Sequence, residues 1–317
     1  MVKYIFQRLG LMLLTLFIIT LVCFVLIRML PQPVVQPGDP HQAILEEQLE
    51  AMGYGKPYME QFGMFLKDIF TKFDWGLSFK KYVGRSATEL FIEKMPPTLL
   101  VNLYSILFAI PIGIALGIWA ALKKNTWIDH TISTLTMVCI SVPSFVYASV
   151  IQYFLCFKFG WFPITMNAGT NYFTWDMFRS MLPAVMALSF GTIAGFTRTT
   201  RAELTEVLTS EFMLLARTKG LTKPQATIRH AMKNCMVVVL PGIFGSFIGI
   251  LSGSLIIEKI FSIPGLGDFY LNSINNLDYN IFMLDTCFYT AIGLLAALVV
   301  DVSYGFIDPR IRMGSKK

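Results

Sequence analysis

The chain has 317 residues, of which 55% are hydrophobic and 15% are charged, and its formal net charge at pH 7 is +6. Together with a mean hydropathy of +0.60, this composition excludes an ordinary soluble domain and predicts an all-α polytopic membrane protein. The positive charges collect in particular loops, so they indicate orientation in a bilayer and give no support to nucleic-acid binding.

The first predicted element is a membrane-spanning helix within residues 1–30. Apolar residues run from Leu9 to Met29, after a short segment that carries Lys3 and Arg8. The run is long enough to span a bilayer and too long for the core of a signal peptide, so we expect a retained helix. Arg28, at its far end, is expected to extend its side chain to the membrane interface.

Residues 31–94 form a polar insert. Its first part, through Pro37-Gly38-Asp39-Pro40, holds too many prolines for regular structure. Two amphipathic helices are predicted next, a weak one around Ile44 to Met52 and an aromatic-rich one around Tyr58 to Phe73. We expect them to pack on their own protein or on the bilayer surface, and contact with a delivering partner is the functional alternative.

Five further spans are predicted in a core of residues 95–304, at about 98–122, 132–157, 181–196, 236–257 and 281–304. Lysine and arginine residues follow the second, fourth and sixth spans, the last group in a tail of residues 305–317. These loops therefore face the cytoplasm, as do both termini.

Prolines and glycines inside the spans predict kinks and close contacts. Pro111, Pro143 and Pro183 are expected to bend their helices. Glycines recur every four residues in two spans, at Gly113 and Gly117 and again at Gly245, Gly249 and Gly253. This spacing predicts close helix packing, and the second set has a partner subunit or a pathway as an alternative.

Residues 201–241 predict a helical hairpin in water between the fourth and fifth spans. Leu204, Leu208, Phe212 and Leu215 recur at helical spacing and predict one apolar stripe. Gly220, after Arg217 and Lys219, is placed to end the first helix in a left-handed conformation. Thr222, Pro224 and Gln225 match the pattern that starts a new helix. Such a hairpin is suited to bind a soluble partner, and an ordinary cytoplasmic loop is the alternative.

Other sites of chemistry are sparse. Glu258, Asp285 and Asp301 lie near the ends of spans and are the ionisable candidates, but nothing resembles a proton relay at mid-depth. The sequence lacks a G-x-x-x-x-G-K-[ST] motif, and its three histidines are far apart. The five cysteines include no CxxC pair. We therefore expect a non-enzyme without a metal or cofactor of its own. Polar or aromatic positions to examine for a pathway are Asn102, Tyr147, Gln152 and Asn272.

Several separated motifs resemble those of ABC importer permeases. The hairpin resembles the EAA loop at Glu211, Ala216, Gly220 and Leu240-Pro241. Its sequence from Ala216 to Leu221 is similar to that of the oligopeptide/dipeptide branch. The departure is Glu211-Phe212-Met213, where the family more usually has an acidic residue, an aromatic residue and valine. Further matches are Pro37-Gly38-Asp39-Pro40, Asp74-Trp75-Gly76-Leu77-Ser78, Met95-Pro96-Pro97-Thr98-Leu99, Glu258, Phe261-Ser262, Pro264-Gly265-Leu266-Gly267, Asp278-Tyr279 and Asp308-Pro309-Arg310-Ile311-Arg312.

This resemblance implies the first-type membrane subunit of a peptide importer, with the six-helix fold of type I ABC importers. The hairpin would be the coupling helix that docks on an ATPase subunit. The docking residues it implies are Glu211, Ala216, Arg217, Lys219, Gly220 and Leu221. Residues implied for an extracytoplasmic gate or partner contact are Glu258, Pro264, Gly265 and Gly267.

The resemblance also implies partners. These would be a second homologous permease, two ATP-binding subunits that carry ATP and Mg²⁺, and an extracytoplasmic substrate-binding protein, assembled in a bacterial inner or cytoplasmic membrane. Di- or oligopeptides are the expected substrates, with nickel chelates or oligosaccharides as alternatives inside the family. An ion-coupled secondary transporter is the main rival, and the lack of mid-membrane carboxylates and of an inverted repeat argues against it.

Overall fold

The computed structural model describes residues 2–31, 42–250 and 254–307, and within these residues the chain is helical and has no β-strand. This confirms the all-α prediction. The helices are α1 Val2–Arg28, α2 Gln42–Ala51, α3 Tyr58–Lys72, α4 Ala87–Leu122, α5 Trp127–Ser141, α6 Ser144–Ile151, α7 Trp175–Leu208, α8 Glu211–Thr218, α9 Lys223–Ala226, α10 Met232–Gly249, α11 Leu255–Ile260, α12 Leu266–Asn275 and α13 Tyr279–Ile307. Short π-helical stretches, Gln152–Lys158 and Thr227–Ala231, extend α6 and α9.

Three predicted segments lie outside the described residues. They are Pro37-Gly38-Asp39-Pro40, Gly253, and the tail motif from Asp308 to Arg312.

Five of the described helical segments are long and apolar enough to cross a membrane: Ile5–Arg28, Ala87–Leu122, Trp175–Leu208, Lys223–Gly249 and Tyr279–Ser303. A sixth span is counted if α5 and the α6 segment, which meet at an angle of 99°, act as one. The multi-pass membrane character follows from these helices.

The span predicted at 132–157 is broken between α5 and α6. Val142 is extended, with φ −86° and ψ 126°. The next residue, Pro143, has no N–H to donate and disfavours a helical conformation in the residue before it. The predicted kink is therefore a full change of direction. The end predicted for the fifth span is wrong: α10 ends at Gly249, and α11 is a separate short helix.

The described chain forms two compact units. The first contains residues 2–5, 100–250 and 296–307, and the second contains residues 6–31, 42–99 and 254–295. In the first unit, α7 packs against α5, α6 and α10.

Glycines bring α4 against α7 in the first unit. A Cβ atom at Gly113 would lie 2.8 Å from the backbone oxygen of Ile193, and the hydroxyl of Thr197 donates a hydrogen bond to the Gly113 carbonyl at 3.1 Å. This confirms the predicted close packing for the first glycine pair. In the second set, a Cβ at Gly245 would meet Val300 at 2.8 Å, whereas one at Gly249 would have no atom within 4 Å.

Aromatic side chains hold α1 against α3 in the second unit. The ring of Phe24 lies 5.3 Å from that of Phe62 and 5.1 Å from that of Phe65, and Trp75 meets Phe65 edge-on. The aromatic-rich helix thus packs on its own protein, as expected. The Arg28 side chain, predicted to extend to the membrane interface, is buried against the rings of Phe24 and Tyr54.

We expect Gly117→Ala to destabilise the protein. The added Cβ would lie 2.6 Å from the Cβ of Thr200 and 2.8 Å from the Thr197 carbonyl oxygen. Separating the helices should lower the free energy of unfolding by about 1–3 kcal/mol. The better helix propensity of alanine should offset about 1 kcal/mol of this loss. The measurement is thermal unfolding of the purified chain in nanodiscs. Gly195→Ala is the control, because its Cβ would have no atom within 4 Å. Equal melting temperatures for the two variants would contradict this packing.

Candidate functional site

The predicted hairpin is present in the first unit, but its first arm is not one helix. The helix α7 ends at Leu208, and α8 begins at Glu211 after a break at Thr209-Ser210. The apolar stripe predicted from Leu204 to Leu215 is therefore wrong. The break rotates the buried face, so that Met213 and Ala216 point inward while Leu215 is exposed.

A cluster of mostly small side chains anchors the hairpin. Met213 and Ala216 of α8 share this buried cluster with Leu204 of α7, Ala226 of α9 and Cys235 of α10. Small side chains allow the short helices to lie close to the longer ones. The hairpin is thus packed at its base against helices that continue into membrane spans.

The end of α8 is a Schellman motif centred on Gly220. The N–H of Leu221 donates to the carbonyl of Ala216 at 3.3 Å, and the N–H of Gly220 donates to the carbonyl of Arg217 at 3.0 Å. Gly220 has φ +92°, a conformation that favours glycine. The side chain of Leu221 packs on the same cluster as Ala216. The predicted helix stop at Gly220 is confirmed.

The restart at Thr222 is confirmed as well. Its N–H donates to the side-chain oxygen of Gln225 at 3.1 Å, and the N–H of Ala226 donates to the Thr222 carbonyl at 2.9 Å. Pro224 lies in the first turn of α9, where it removes a donor that would lack a helical acceptor anyway. Both ends of the turn are therefore fixed by local hydrogen bonds.

Exposed apolar side chains lie on the hairpin among exposed charged ones. Leu214 is 64% exposed and Ile228 is 71% exposed, and Phe212 and Leu215 are also exposed. We call these four side chains the apolar face. Leu214 and Ile228 were not among the docking residues predicted from the sequence. They could have been found as apolar residues that lie outside the predicted buried stripe.

The six residues predicted to dock divide into two groups. Glu211, Arg217, Lys219 and Gly220 are exposed, whereas Ala216 is buried and Leu221 is partly buried. The second pair supports the hairpin from inside.

A partly buried ion pair, not predicted from the sequence, holds α5 to α7 near the hairpin. Arg201 donates from Nη2 to Oδ2 of Asp129 at 2.8 Å and makes a second bond from Nε to Oδ1. The Asp129 side chain is buried, and the N–H of Asn125 also donates to it at 2.9 Å. The two partners are 72 residues apart, so no local pattern reveals them. Bidentate pairs of this kind fix geometry as well as charge.

The second unit brings the other four predicted residues together around a helix end. Glu258 is 2% exposed and accepts hydrogen bonds from the Thr98 hydroxyl at 2.9 Å and from the Gly267 N–H at 2.8 Å. The N–H of Leu266 donates to the Thr98 hydroxyl at 2.8 Å. Glu258 and Thr98 thus satisfy the first N–H groups of α12, where negative charge is favoured.

The glycines at this end leave room for the carboxylate. A Cβ at Gly267 would lie 2.9 Å from Oε2 of Glu258, and one at Gly265 would overlap the Thr98 hydroxyl. Pro264 precedes them and is exposed. Burial raises the pKa of Glu258 to about 7, against the opposing effect of its hydrogen bonds.

Asp285 lies near this carboxylate. It is fully buried, and neither of its oxygens has a hydrogen-bond partner within the described part of the chain. Glu258 is close enough to interact with it electrostatically. No group of three side chains suited to a metal ion occurs among the described residues.

Two of the matched motifs meet in the same unit. Asp278 accepts hydrogen bonds from the Ser78 hydroxyl and from the Phe79 N–H. Asn280 donates to the Leu77 carbonyl at 2.8 Å. Burial raises the pKa of Asp278. These contacts tie the end of the insert to the start of α13.

Three of the polar positions proposed for a pathway have hydrogen bonds to backbone oxygens. Tyr147 donates to Val138, Gln152 donates to Ile164, and Asn272 donates to Asp268. These bonds assign them structural roles in the described arrangement.

Comparisons with known proteins give a consistent relationship. A family described as "Binding-protein-dependent transport system inner membrane component" matches residues 113–313. The dipeptide transport system permease protein DppB of Lactococcus lactis subsp. cremoris (strain MG1363) is 34% identical over 99% of this chain and 100% of its own length. The oligopeptide transport system permease protein OppB of Salmonella typhimurium (strain LT2) is 33% identical over 98% of this chain and 100% of its own length.

Two solved structures share the fold. An amino acid ABC transporter crystallised with histidines has a TM-score of 0.52 and 20% identity, covering 69% of this chain and 94% of that one. The inward-facing MetNI methionine ABC transporter has a TM-score of 0.50 and 15% identity, covering 72% and 98%. The transmembrane fold of such importers is therefore present here.

We expect Glu258 to make stability depend on pH near neutrality. Its pKa rises from 4.5 to about 7 in the folded chain. The protonated side chain therefore adds to the free energy of unfolding, and this contribution is complete below about pH 4.5 and is lost as pH rises through about 7. Thermal unfolding between pH 6 and pH 8 should show a decline that Glu258→Gln flattens. Glu60→Gln, at an exposed glutamate, should keep the wild-type profile. A decline of the same size in Glu258→Gln would refute this assignment.

Proposed function

Because the chain belongs to the family of binding-protein-dependent transport system inner membrane components, we propose that it is a permease subunit of an ATP-driven ABC importer for di- or oligopeptides. Relatives named as dipeptide and oligopeptide permeases match it along their whole length. This match supports peptides over nickel chelates or oligosaccharides as the transported class.

The observation that carries the proposal is the capped hairpin with its apolar face. Four exposed apolar side chains on short helices, fixed at both ends by hydrogen bonds, form a rigid surface for a soluble partner. We assign that partner as an ATP-hydrolysing subunit, and α8 as the coupling helix. The buried cluster connects α8 to α7 and α10, so a displacement of the hairpin moves helices that continue into membrane spans.

ATP and Mg²⁺ belong to the partners in this proposal, because the chain has no phosphate-binding loop. Two ATP-binding subunits drive the cycle, a second permease completes the pathway, and an extracytoplasmic binding protein delivers the substrate. Closure of the ATPase pair favours one of two arrangements of the spans, so transport is a shift between populations.

Orientation follows from charge. Lys123 and Lys124 and the basic residues of the hairpin mark the cytoplasmic side of a bacterial inner membrane, and both termini lie there too. The Glu258 group then lies on the outer side. Because Glu258 fixes the start of α12 through backbone N–H groups, we assign it and Gly265 and Gly267 to the frame of an extracytoplasmic gate, with exposed Pro264 available for partner contact.

We expect the double variant Leu214→Ala/Ile228→Ala to weaken docking on the ATPase subunits by about 100-fold or more, since burying each side chain at an interface contributes about 1.5–3 kcal/mol. The measurements are peptide uptake and substrate-stimulated ATP hydrolysis in vesicles that contain the chain and its co-expressed subunits. Both should fall while membrane insertion is unchanged.

The control is Met137→Ala/Phe157→Ala. Both side chains are apolar and strongly exposed, but they lie in the bent pair of helices predicted to cross the bilayer. This control should keep wild-type coupling. Uptake by the chain alone that follows an ion gradient and ignores ATP would overturn the proposal and favour a secondary transporter.

A further inference from the structure

A cavity of about 350 Å³ lies within the second unit, away from the residues assigned to the gate. Its walls come from the end of α1, from α2 and α3, and from the segment that follows α3. The side chains that matter most are Arg28, Gln48, Gln61 and Trp75. The volume falls in the range of small-molecule sites.

Each of these four side chains has a buried polar atom without a hydrogen-bond partner in the described part of the chain. The atoms are Nη1 of Arg28, both amide atoms of Gln48, Oε1 of Gln61 and Nε1 of Trp75. Gln61 is fixed by a bond from its Nε2 to the Lys56 carbonyl at 2.7 Å, which makes Oε1 its free end. Buried polar atoms are nearly always paired, and leaving one unpaired is costly. Their concentration around one cavity indicates that the occupant supplies the partners.

Arg28 determines the charge that the occupant must carry. The residue is 9% exposed, and its guanidinium carbon lies 4.0 Å from the centre of the Tyr54 ring and 4.9 Å from that of Phe24. These contacts hold its orientation. A buried guanidinium requires an anion, and a carboxylate matches its planar donors best.

The carboxylates of the cavity wall do not fill this need. Asp68 pairs with Lys72 at 3.2 Å, and Asp74 accepts the Gly76 N–H at 2.8 Å. The third carboxylate of the wall, Glu47, is exposed to solvent. No ion pair joins Arg28 to an acidic side chain among the residues that the structure describes. The wall therefore contains the buried Arg28 guanidinium and the unpaired side-chain oxygens of Gln48 and Gln61.

We propose that this cavity binds a small zwitterion, a free amino acid or a dipeptide. Its carboxylate lies on Arg28 and the Trp75 N–H, and its amino group lies on the amide oxygens of Gln48 and Gln61. The site belongs to the insert and the end of α1, so it is a ligand site of the permease itself. It does not depend on coupling between the hairpin and an ATPase.

The test uses the full chain with its co-expressed subunits in nanodiscs, without ATP and without a binding protein. The probes are L-alanine, L-alanyl-L-alanine and the C-terminal amide of the dipeptide. Binding of each probe is measured by calorimetric titration. L-alanine represents a free amino acid and L-alanyl-L-alanine represents a dipeptide. Both have a free carboxylate, and we expect at least one of them to bind. The amide should not bind, because it lacks the anion that Arg28 requires.

Arg28→Gln should weaken binding by about 10- to 100-fold, the usual effect of losing a charged hydrogen bond. Trp75→Phe keeps an aromatic ring and removes only the N–H, so it tests the site if Arg28→Gln does not fold, and it should weaken binding by several fold. Lys80→Gln is the matched control, because Lys80 is exposed and does not line the cavity. It should bind as the wild type does.

Three results would overturn the proposal. They are equal binding of the dipeptide and its amide, equal binding by Arg28→Gln, Trp75→Phe and Lys80→Gln, or no binding of any probe at millimolar concentration, which would leave ordered water as the occupant. Peptide uptake by the same preparation reports on the importer assignment independently, so either conclusion can fail without the other.

Discussion

Wherever a helix of this chain ends, backbone N–H or C=O groups lose their helical partners, and they must be satisfied before the chain can turn. The two candidate sites are places where this happens. At Gly220 the backbone itself supplies the bonds, and at Thr222 the Gln225 side chain does. At the start of α12 the partners are Glu258 and Thr98, which come from other helices. The local hydrogen bonds at Gly220 and Thr222 make the hairpin a rigid unit. The long-range hydrogen bonds at the start of α12 join it to α4 and α11.

These different solutions suit the roles assigned to the two sites. A coupling element must keep its shape while it moves, and local caps travel with it. Its attachment to the membrane helices is made by packing of small side chains around Leu204 and by the Asp129–Arg201 pair. Packed interiors transmit displacement well because they are dense. The proposed gate frame, in contrast, has a buried carboxylate whose charge is opposed by desolvation, so its stability is sensitive to its surroundings.

The sequence predicted what depends on neighbouring residues and failed where distant partners decide. Hydropathy located the spans, and cap chemistry located Gly220 and Thr222. The break at Val142–Pro143 was predicted only as a kink, since a hydropathy window averages over a single extended residue. The inward face of α8 was missed because the break at Ser210 resets the helical period. Asp129 with Arg201, and Ser78 with Asp278, are joined across 72 and 200 residues, so only the fold reveals them.

Glu258 and Arg28 show two outcomes for a buried charged group in one unit. Glu258 receives hydrogen bonds from two donors of its own chain, the Thr98 hydroxyl and the Gly267 N–H. Arg28 is held by aromatic rings, and its Nη1 has no hydrogen-bond partner in the described part of the chain, so that donor is available to whatever fills the adjacent space. Removing a charge from water is unfavourable until a partner compensates for it. An occupant that binds only the folded chain supplies that compensation, so binding at Arg28 and stability of the insert are thermodynamically linked.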